Sequence, residues 1–356
     1  MIHRRRWLAQ AAAAIAAPAL ARGERRSAPS SLRLAAPNLA DDQVLRFVAG
    51  IRPYRKGGVR IERETVGNKT VIHNYGHGGA GYTLSWGSAH AAVDLLPRGH
   101  SVECVVLGAG VVGLSTAAVL LERGSRVRIV AKAFPPHTTS DIAGAEWSPD
   151  IVERGYTEAE QRRFDAMLRT SWKRFQKLRG DRWGITQRPI YEANDVVSGL
   201  DELPKGIMSP AVNLRSLPFA PHHRGRVFQT FLIEAPLYLQ QLLSQVKSTG
   251  ARLEQRTLES PLSLTEFSEP VIFNCLGLGA GAAFDDKAVV PIRGQLVHLR
   301  PQALPYLLDH PNGYMVPRKD ALVLGGTFEV NVSDPTPDAA MCARILDDNR
   351  KFFSDR

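Results

Sequence analysis

Cysteine is scarce in this chain of 356 residues, which contains only three. Cys104, Cys275 and Cys342 lie far apart, and no CxxC pair occurs. Disulfide frameworks and cysteine-based metal sites use paired or closely spaced cysteines. The composition therefore argues against both, and we expect no metal site and three buried thiols that pack as small apolar side chains.

A long apolar run is lacking even at the N-terminus, where Trp7–Ala21 spans about 15 residues and is short for a membrane helix. Arg4, Arg5 and Arg6 precede this run, and small residues close it at Ala21, which is the layout of a signal peptide. The paired arginines resemble a twin-arginine export signal. We expect a signal over residues 1–21 and an exported protein, periplasmic or extracellular, with an uncleaved anchor as the alternative.

Acidic residues are outnumbered, with 35 against 45 basic ones and a formal charge of +10. The three signal arginines account for part of this excess. Basic runs such as Arg22–Arg26 are short and mixed with acids, unlike the stripes that bind nucleic acid. The charge therefore predicts a solvated surface, or one that attracts carboxylate substrates, and no nucleic-acid partner.

A strand, glycine turn, helix and strand follow one another in the middle of the chain. Residues 102–107 form a valine-rich apolar run, the GAGVVG motif follows, a helix is predicted over 114–123 and a second strand over 126–131. Such a continuous apolar run is typical of a strand buried in a parallel sheet. This context makes GAGVVG a dinucleotide-binding motif rather than an ordinary glycine-rich turn.

Each glycine of the motif has a physical task. Gly108 allows the tight turn, Gly110 lets the backbone approach a pyrophosphate, and Gly113 permits close helix packing. The amides at the helix start then bind the phosphate charge. Lys132 stands where a ribose-binding acid is expected, so the motif alone leaves NAD and FAD open.

The second half of the chain changes character near Pro291. Before it, residues 270–275 form another buried strand; after it, residues 294–299 and 321–328 are short alternating runs separated by turns. Alternation indicates antiparallel strands with one buried face. The predicted fold is therefore α/β, with a Rossmann-like nucleotide-binding domain and a second domain built on an antiparallel sheet.

Several blocks, which together span most of residues 38–350, resemble the D-amino-acid oxidase family. Six occur in the family's own order: VVLGAGVVGLST, HTTSDIAGAEWSP, FNCLG, PIRGQLV, HPNGYMVP and LGGTF. Two more, AGIRPYRKGGVRIERE and VIHNYGHGGAGYTLSWGSA, close the chain in that family but precede the glycine motif here. We interpret this order as a circular permutation joined through residues 97–101; a truncated or rearranged gene product is the alternative.

The resemblance implies FAD as the cofactor. The loop Gly78–Thr83 would lie along the isoalloxazine ring, with Thr83 at the pyrimidine carbonyl. The helix that starts near Tyr82 would also point its positive end at the ring. The full predicted set of cofactor contacts is Gly78, Gly79, Gly81, Thr83, Gly108, Gly110, Val111, Val112, Gly113, Thr139, Ser140, Gly144, Ala145 and Leu258.

The resemblance also implies a substrate site. Arg52 matches the arginine that binds the substrate carboxylate through two parallel hydrogen bonds, a geometry that suits a planar guanidinium. Arg55 and Arg60 are nearby alternatives. Tyr314 would add a second contact to the carboxylate, and the Gly79 carbonyl would receive the amine. A second tyrosine found upstream in some members has no counterpart.

The implied reaction is oxidative deamination of a D-amino acid to a 2-oxo acid and ammonia, by hydride transfer to the flavin. The reduced flavin would be reoxidised by oxygen, which gives hydrogen peroxide, or by a membrane electron acceptor. Glycine or a secondary amine is an alternative substrate. A non-catalytic flavoprotein stays open because of Lys132, the missing upstream tyrosine and Ser148, where several members have glutamine. His73 and His77 are expected to be structural, and a homodimer is a further option.

The family's discontinuous domains divide the chain as follows. After the signal and a linker at 22–31, residues 32–69 would contribute to the substrate domain. The FAD-binding domain would take 70–150 and 231–290, and the substrate domain 151–230 and 291–356.

Overall fold

The computed structural model describes residues 33–96, 102–194, 196–258 and 264–354. The predicted signal at 1–21, the linker at 22–31 and the joint at 97–101 lie outside the described residues. Among the described residues, no helix is both long and apolar enough to cross a membrane.

The apolar runs around the glycine motif form a six-stranded sheet that is mostly parallel. Its order is β2 (Arg60–Val66), β3 (Lys69–Tyr75), β10 (Val271–Asn274), β4 (Glu103–Leu107), β5 (Arg126–Ala131) and β9 (Arg252–Gln255). Only β2 is antiparallel to its neighbour. The valines of β4 are buried, as the unbroken apolar pattern predicted. The carboxyl ends of the five parallel strands share one edge, where α/β folds bind ligands.

The second sheet has nine strands among the described residues and is antiparallel except between β12 and β6. Its order is β1 (Val44–Arg55), β11 (Val289–Leu299), β14 (Leu322–Gly325), β13 (Gly313–Pro317), β12 (Leu307–His310), β6 (Ile185–Ala193), β8 (Gly225–Ile233) and β7 (Val212–Leu214), and β15 (Glu329–Val330) pairs with β11. The two sheets confirm the predicted fold class.

Seven α-helices are described. They are α1 (Gly81–Val93), α2 (Val111–Glu122), α3 (Thr139–Ile142), α4 (Glu158–Leu178), α5 (Ala235–Ser248), α6 (Gly279–Ala283) and α7 (Ala339–Ser354). Helices α1, α2, α4 and α5 bury apolar residues in one core with the parallel strands. Helix α7 packs against the large sheet.

Two segments pack with a different sheet from the one that the predicted domain limits assign to them. Strand β1 belongs to the large sheet but β2 belongs to the parallel one, so the limit at residue 69 falls inside a hairpin. Helix α4 was placed with the substrate domain, yet Phe164 and Trp172 pack in the core of the parallel sheet. The apolar face of α4 packs chiefly against α1, and its Trp172 also contacts Phe231 of β8 in the large sheet.

Helix α7 lies beside the first described residues. Arg350 donates from Nε to the Leu39 carbonyl at 2.8 Å and pairs with Asp41 at 2.6 Å. Phe353 and Leu34 pack against one apolar cluster. The end of α7 and the segment that leads into β1 are therefore neighbours.

Candidate active site

The turn between β4 and α2 is closely packed around two of its glycines. Gly108 has φ +105°, and a Cβ there would stand 2.5 Å from the Cys275 carbonyl oxygen. A Cβ on Gly113 would stand 2.1 Å from the Gly108 carbonyl oxygen. The N-cap of α2 is Gly110, which has no side chain to cap the helix. The first amides of α2 can therefore bind an anion.

Helix α3 lies over this turn. A capping box between Thr138 and Asp141 starts it. Its Ser140 accepts a hydrogen bond at Oγ from the Val111 amide at 3.1 Å, and a Cβ on Gly110 would stand 3.0 Å from that oxygen. Predicted contact Thr139 is exposed beside it. The structure thus brings the predicted pyrophosphate contacts together.

The adenosine end of the predicted site has no acid at the expected position. Lys132 follows β5 directly and is exposed, and its carbonyl accepts a hydrogen bond from Gln255 Nε2 at 3.2 Å. Leu258 is half-buried and packs against the apolar cluster that contains Val105 and Leu107. Both residues lie beyond the carboxyl ends of parallel strands, at the same edge as the glycine turn.

The loop after β3 reaches this edge too. Gly78 has φ +56° and donates to the Pro53 carbonyl at 3.0 Å, while Gly79 donates to the Ile151 carbonyl at 3.0 Å. A Cβ on Gly78 would stand 2.0 Å from that same Ile151 oxygen. The loop therefore sits next to Arg52, one residue before Pro53, and leads into α1 at Gly81.

Thr83, on the first turn of α1, is buried and donates from Oγ1 to the Ser148 carbonyl at 2.7 Å. The hydroxyl proton is therefore engaged in this conformation, and the oxygen remains as an acceptor. The contact to the pyrimidine carbonyl stays a prediction.

The two histidines of this region are buried. His77 Nε2 lies 2.8 Å from Ser88 Oγ, and burial lowers the pKa of His77 to about 3. His73 Nδ1 lies 3.0 Å from Asn274 Nδ2, and burial lowers its pKa as well. Both imidazoles are neutral near pH 7 and anchor backbone elements, in line with the structural role expected for them.

Arg52 and Tyr314 lie on one face of the large sheet. The strand register places Arg52 opposite Ile292, Leu296 opposite Gly325, and Gly325 opposite Tyr314. Residues opposite one another in antiparallel strands share a face, as do residues two apart along a strand. The predicted carboxylate ligands therefore face the same space, from strands β1 and β13.

Glycines make room for both side chains. A Cβ on Gly294 would stand 2.4 Å from Arg52 Nη2, and a Cβ on Gly325 would stand 2.0 Å from Tyr314 Cζ. Arg52 also donates from Nη1 to the Thr327 carbonyl at 3.1 Å. The side chains thus lie flat on the sheet and converge on the segment that follows β14.

The two alternative arginines are engaged elsewhere. Arg55 pairs with Asp286 at 2.8 Å, and Arg60 pairs with Glu62 at 2.8 Å. Side-chain hydrogen bonds to Tyr75 and Glu62 raise the pKa of Arg60 although partial burial opposes the shift. Both side chains are therefore held by these acids, and the role of Arg52 stays a prediction.

The segment after α3 connects the two halves of the site. A Cβ on Gly144 would stand 3.4 Å from Tyr314 Cε2. Ala145 has φ +62°, and its carbonyl accepts from the Ile233 amide at 3.0 Å. Both are predicted cofactor contacts, and Gly144 lies against the face of the large sheet that carries Tyr314.

Two features of the site were not predicted. Ile151 has φ +56°, which is unusual for a β-branched residue, and it covers Gly79. Arg318 is buried beside α3. No local pattern marks either residue, because each contact joins segments far apart in the sequence.

The residues present fit FAD. The glycine turn is a cradle that a Cβ would fill, the N-cap of α2 is a glycine, and the predicted contacts meet at one sheet edge. A sequence model of the family described as FAD dependent oxidoreductase matches residues 12–95 and 103–356. The chain belongs to this family.

Relatives of this FAD-dependent oxidoreductase include two proteins named D-amino-acid oxidase. The one from Rubrobacter xylanophilus is 34% identical over 260 residues, covering 70% of this chain and 77% of the relative. The one from Streptomyces coelicolor is 32% identical over 256 residues, covering 68% and 75%. The solved glycine oxidase of Geobacillus kaustophilus shares the fold, with a TM-score of 0.54, 18% identity, and coverage of 71% of this chain and 78% of that one.

The three cysteines of this oxidoreductase are free and buried. Burial raises the pKa of Cys104 and Cys275 to about 12 and that of Cys342 to about 11. They are thiols packed in the interior, as the sequence predicted.

Proposed function

We propose that this enzyme oxidises the α-amine of D-amino acids, with oxygen as electron acceptor. The observation that carries the proposal is that Arg52 and Tyr314 share one face of the large sheet, while Gly78 in the loop after β3 donates to the carbonyl of Pro53, the neighbour of Arg52. The relatives named D-amino-acid oxidase support it. The products are a 2-oxo acid, ammonia and hydrogen peroxide, formed from the amino acid, water and oxygen.

The protein's part is to bind and orient the substrate. Arg52 presents a planar fork to the carboxylate, and the Tyr314 hydroxyl donates a further hydrogen bond. The Gly79 carbonyl accepts from the amine. FAD, when bound, supplies the acceptor for the hydride that leaves the α-carbon. Since His77 is neutral and bonded to Ser88, no base from this loop is assigned.

Substrate choice is tested with purified FAD-loaded enzyme. D- and L-forms of alanine, methionine and phenylalanine, together with glycine and sarcosine, are supplied in air, and hydrogen peroxide and 2-oxo acid are measured. We expect both products from D-amino acids in equal amounts and none from L-forms. Turnover of glycine or sarcosine alone would favour the alternative substrates, and turnover only with an added dye would favour a dehydrogenase.

We also propose that residues 1–21 direct export through a twin-arginine signal. The support is the sequence layout of Arg5, Arg6, the short apolar run and Ala21. A fusion of residues 1–31 to a reporter that is active only after folded export tests this. Export that survives Arg5→Lys with Arg6→Lys would contradict it.

A further inference from the structure

Arg318 is an almost fully buried arginine, 2% exposed, on the turn that follows β13. Its Nε and Nη2 donate to the two carboxylate oxygens of Asp320 at 2.8 and 2.6 Å. Its Nη1 donates to the Ala143 carbonyl at 2.7 Å and lies 3.5 Å from the Asp141 carbonyl oxygen. One guanidinium therefore joins the large sheet to the end of α3.

The guanidinium charge can be buried here because it has an opposite charge on one edge and carbonyl acceptors on the other. Unpaired buried ions are strongly unfavourable, and here Asp320 supplies the opposite charge. The remaining N–H meets backbone carbonyls that α3 leaves without a helical partner. A lysine ammonium is a point charge and cannot reproduce this planar fork.

The residues next to Ala143 are the ones that meet the site. Gly144 lies against the Tyr314 ring, and Ala145 is held with positive φ. Tyr314 stands four residues before Arg318 on the same strand and turn. The arginine thus sets the position of the Ala143–Ala145 backbone relative to the strand that carries Tyr314.

We propose that Arg318 is a positioning residue for the flavin, acting through the backbone of Ala143–Ala145. The inference rests on the proposed function in that Gly144 and Ala145 are taken to contact the cofactor beside Tyr314. When the Arg318 guanidinium is removed, this backbone shifts. The environment of the bound flavin then changes, although Arg318 itself lies behind the Ala143–Ala145 backbone.

The test compares Arg318→Lys, Arg318→Met and Asp320→Asn with wild type as FAD-loaded enzymes. The FAD dissociation constant is measured by fluorescence quenching, and the visible absorption and circular dichroism of the bound flavin are recorded. We expect both Arg318 variants to bind FAD about tenfold more weakly or worse, with altered visible dichroism. Asp320→Asn keeps the bond to Ala143 and is expected to have a smaller effect.

Arg226→Met is the matched control. Arg226, like Arg318, is an arginine in ion pairs, here with Glu192 and Asp201; it is half-buried, and it contacts neither α3 nor Ala143 among the described residues. We expect it to lower the thermal midpoint without changing the flavin signals. If Arg318→Met does not fold, Arg318→Lys and Asp320→Asn decide.

The inference would be overturned if Arg318→Lys kept the wild-type FAD affinity and flavin dichroism. It would also be overturned if Arg226→Met changed both as much as the Arg318 variants do. The test is separate from that of the function. If the enzyme oxidises D-amino acids but its FAD affinity and flavin dichroism do not change in the Arg318 variants, only the positioning role is contradicted. Flavin signals that depend on Arg318 in an enzyme that oxidises no amine contradict only the function.

Discussion

The guanidinium of Arg52 lies over Gly294, so that a Cβ on the glycine would stand 2.4 Å from Nη2 and 2.6 Å from Cζ. Gly294 is on β11, the neighbour of the strand that carries Arg52, and shares its face. A glycine at this point is what lets the arginine lie flat on the sheet. The orientation of Arg52, the proposed carboxylate ligand, therefore depends on a residue that would not touch the substrate.

Gly294→Ala is expected to displace Arg52 and to raise the KM for the amino acid roughly tenfold to a hundredfold, because small misplacements of a positioning group are costly. FAD affinity should be unchanged. Steady-state kinetics and FAD titration check this. Gly67→Asn is the control, since a Cβ on Gly67 would meet nothing within 4 Å and asparagine tolerates its φ of +60°. An unchanged KM in Gly294→Ala would contradict the assignment of Arg52.

Two glycines of the cofactor turn should respond differently to alanine. A Cβ on Gly113 meets the Gly108 backbone at 2.1 Å, so Gly113→Ala should fail to yield folded enzyme. A Cβ on Gly110 meets only the Ser140 hydroxyl at 3.0 Å, which can turn away. We expect Gly110→Ala to fold and to bind FAD about tenfold more weakly, because the methyl group blocks close approach to the backbone. Wild-type FAD affinity in Gly110→Ala would place the pyrophosphate elsewhere.

Stability should fall in mild acid because of His77. Its pKa is about 3 in the folded protein against 6.5 when unperturbed. Between these values the unfolded chain binds more protons, so the free energy of unfolding decreases as pH falls through this window. From pH 8 to pH 5 the contribution is about 2 kcal/mol. Urea unfolding at several pH values measures this free energy. The loss between pH 8 and pH 5 should be smaller in His77→Gln, and it should be unchanged in His137→Gln, at an exposed site. An unchanged pH dependence in His77→Gln would contradict a neutral buried imidazole.

We propose that the order of the segments is a circular permutation, since α7 ends beside the segment that leads into β1. A chain in the family's order, residues 102–354 followed by 33–96, should then fold and bind FAD like the original. Thermal unfolding and FAD titration check this. A chain opened instead within the glycine turn after β4 serves as the negative control. Failure of the reordered chain to fold would contradict the proposal.

The sequence predicted the parts of the site that depend on local patterns. The valine-rich run and the glycine spacing determined β4, the turn and α2 to within a few residues, because burial on both faces and tight turns restrict composition locally. Arg52 and Tyr314 were named through resemblance. The sequence alone left Arg55 and Arg60 open, since their ion pairs with Asp286 and Glu62 were not evident from it.

Other features could not be predicted. Arg318 and Ala143 are 175 positions apart, and Ile151 meets Gly79 through a backbone carbonyl that no residue type encodes. The assignment of α4 to the substrate domain followed its place in the chain. In the structure the helix packs chiefly against α1, which covers the parallel sheet, and its Trp172 also contacts Phe231 of the large sheet.

The most direct test is the visible spectrum of the FAD-loaded enzyme without oxygen, before and after addition of D-alanine or L-alanine, in wild type and in Arg52→Met. We expect the flavin bands of wild type to bleach with the D-form only, and the Arg52 variant to need far more substrate for the same bleaching. Bands that persist with D-amino acids, or an Arg52→Met variant that bleaches at wild-type concentrations, would contradict the account.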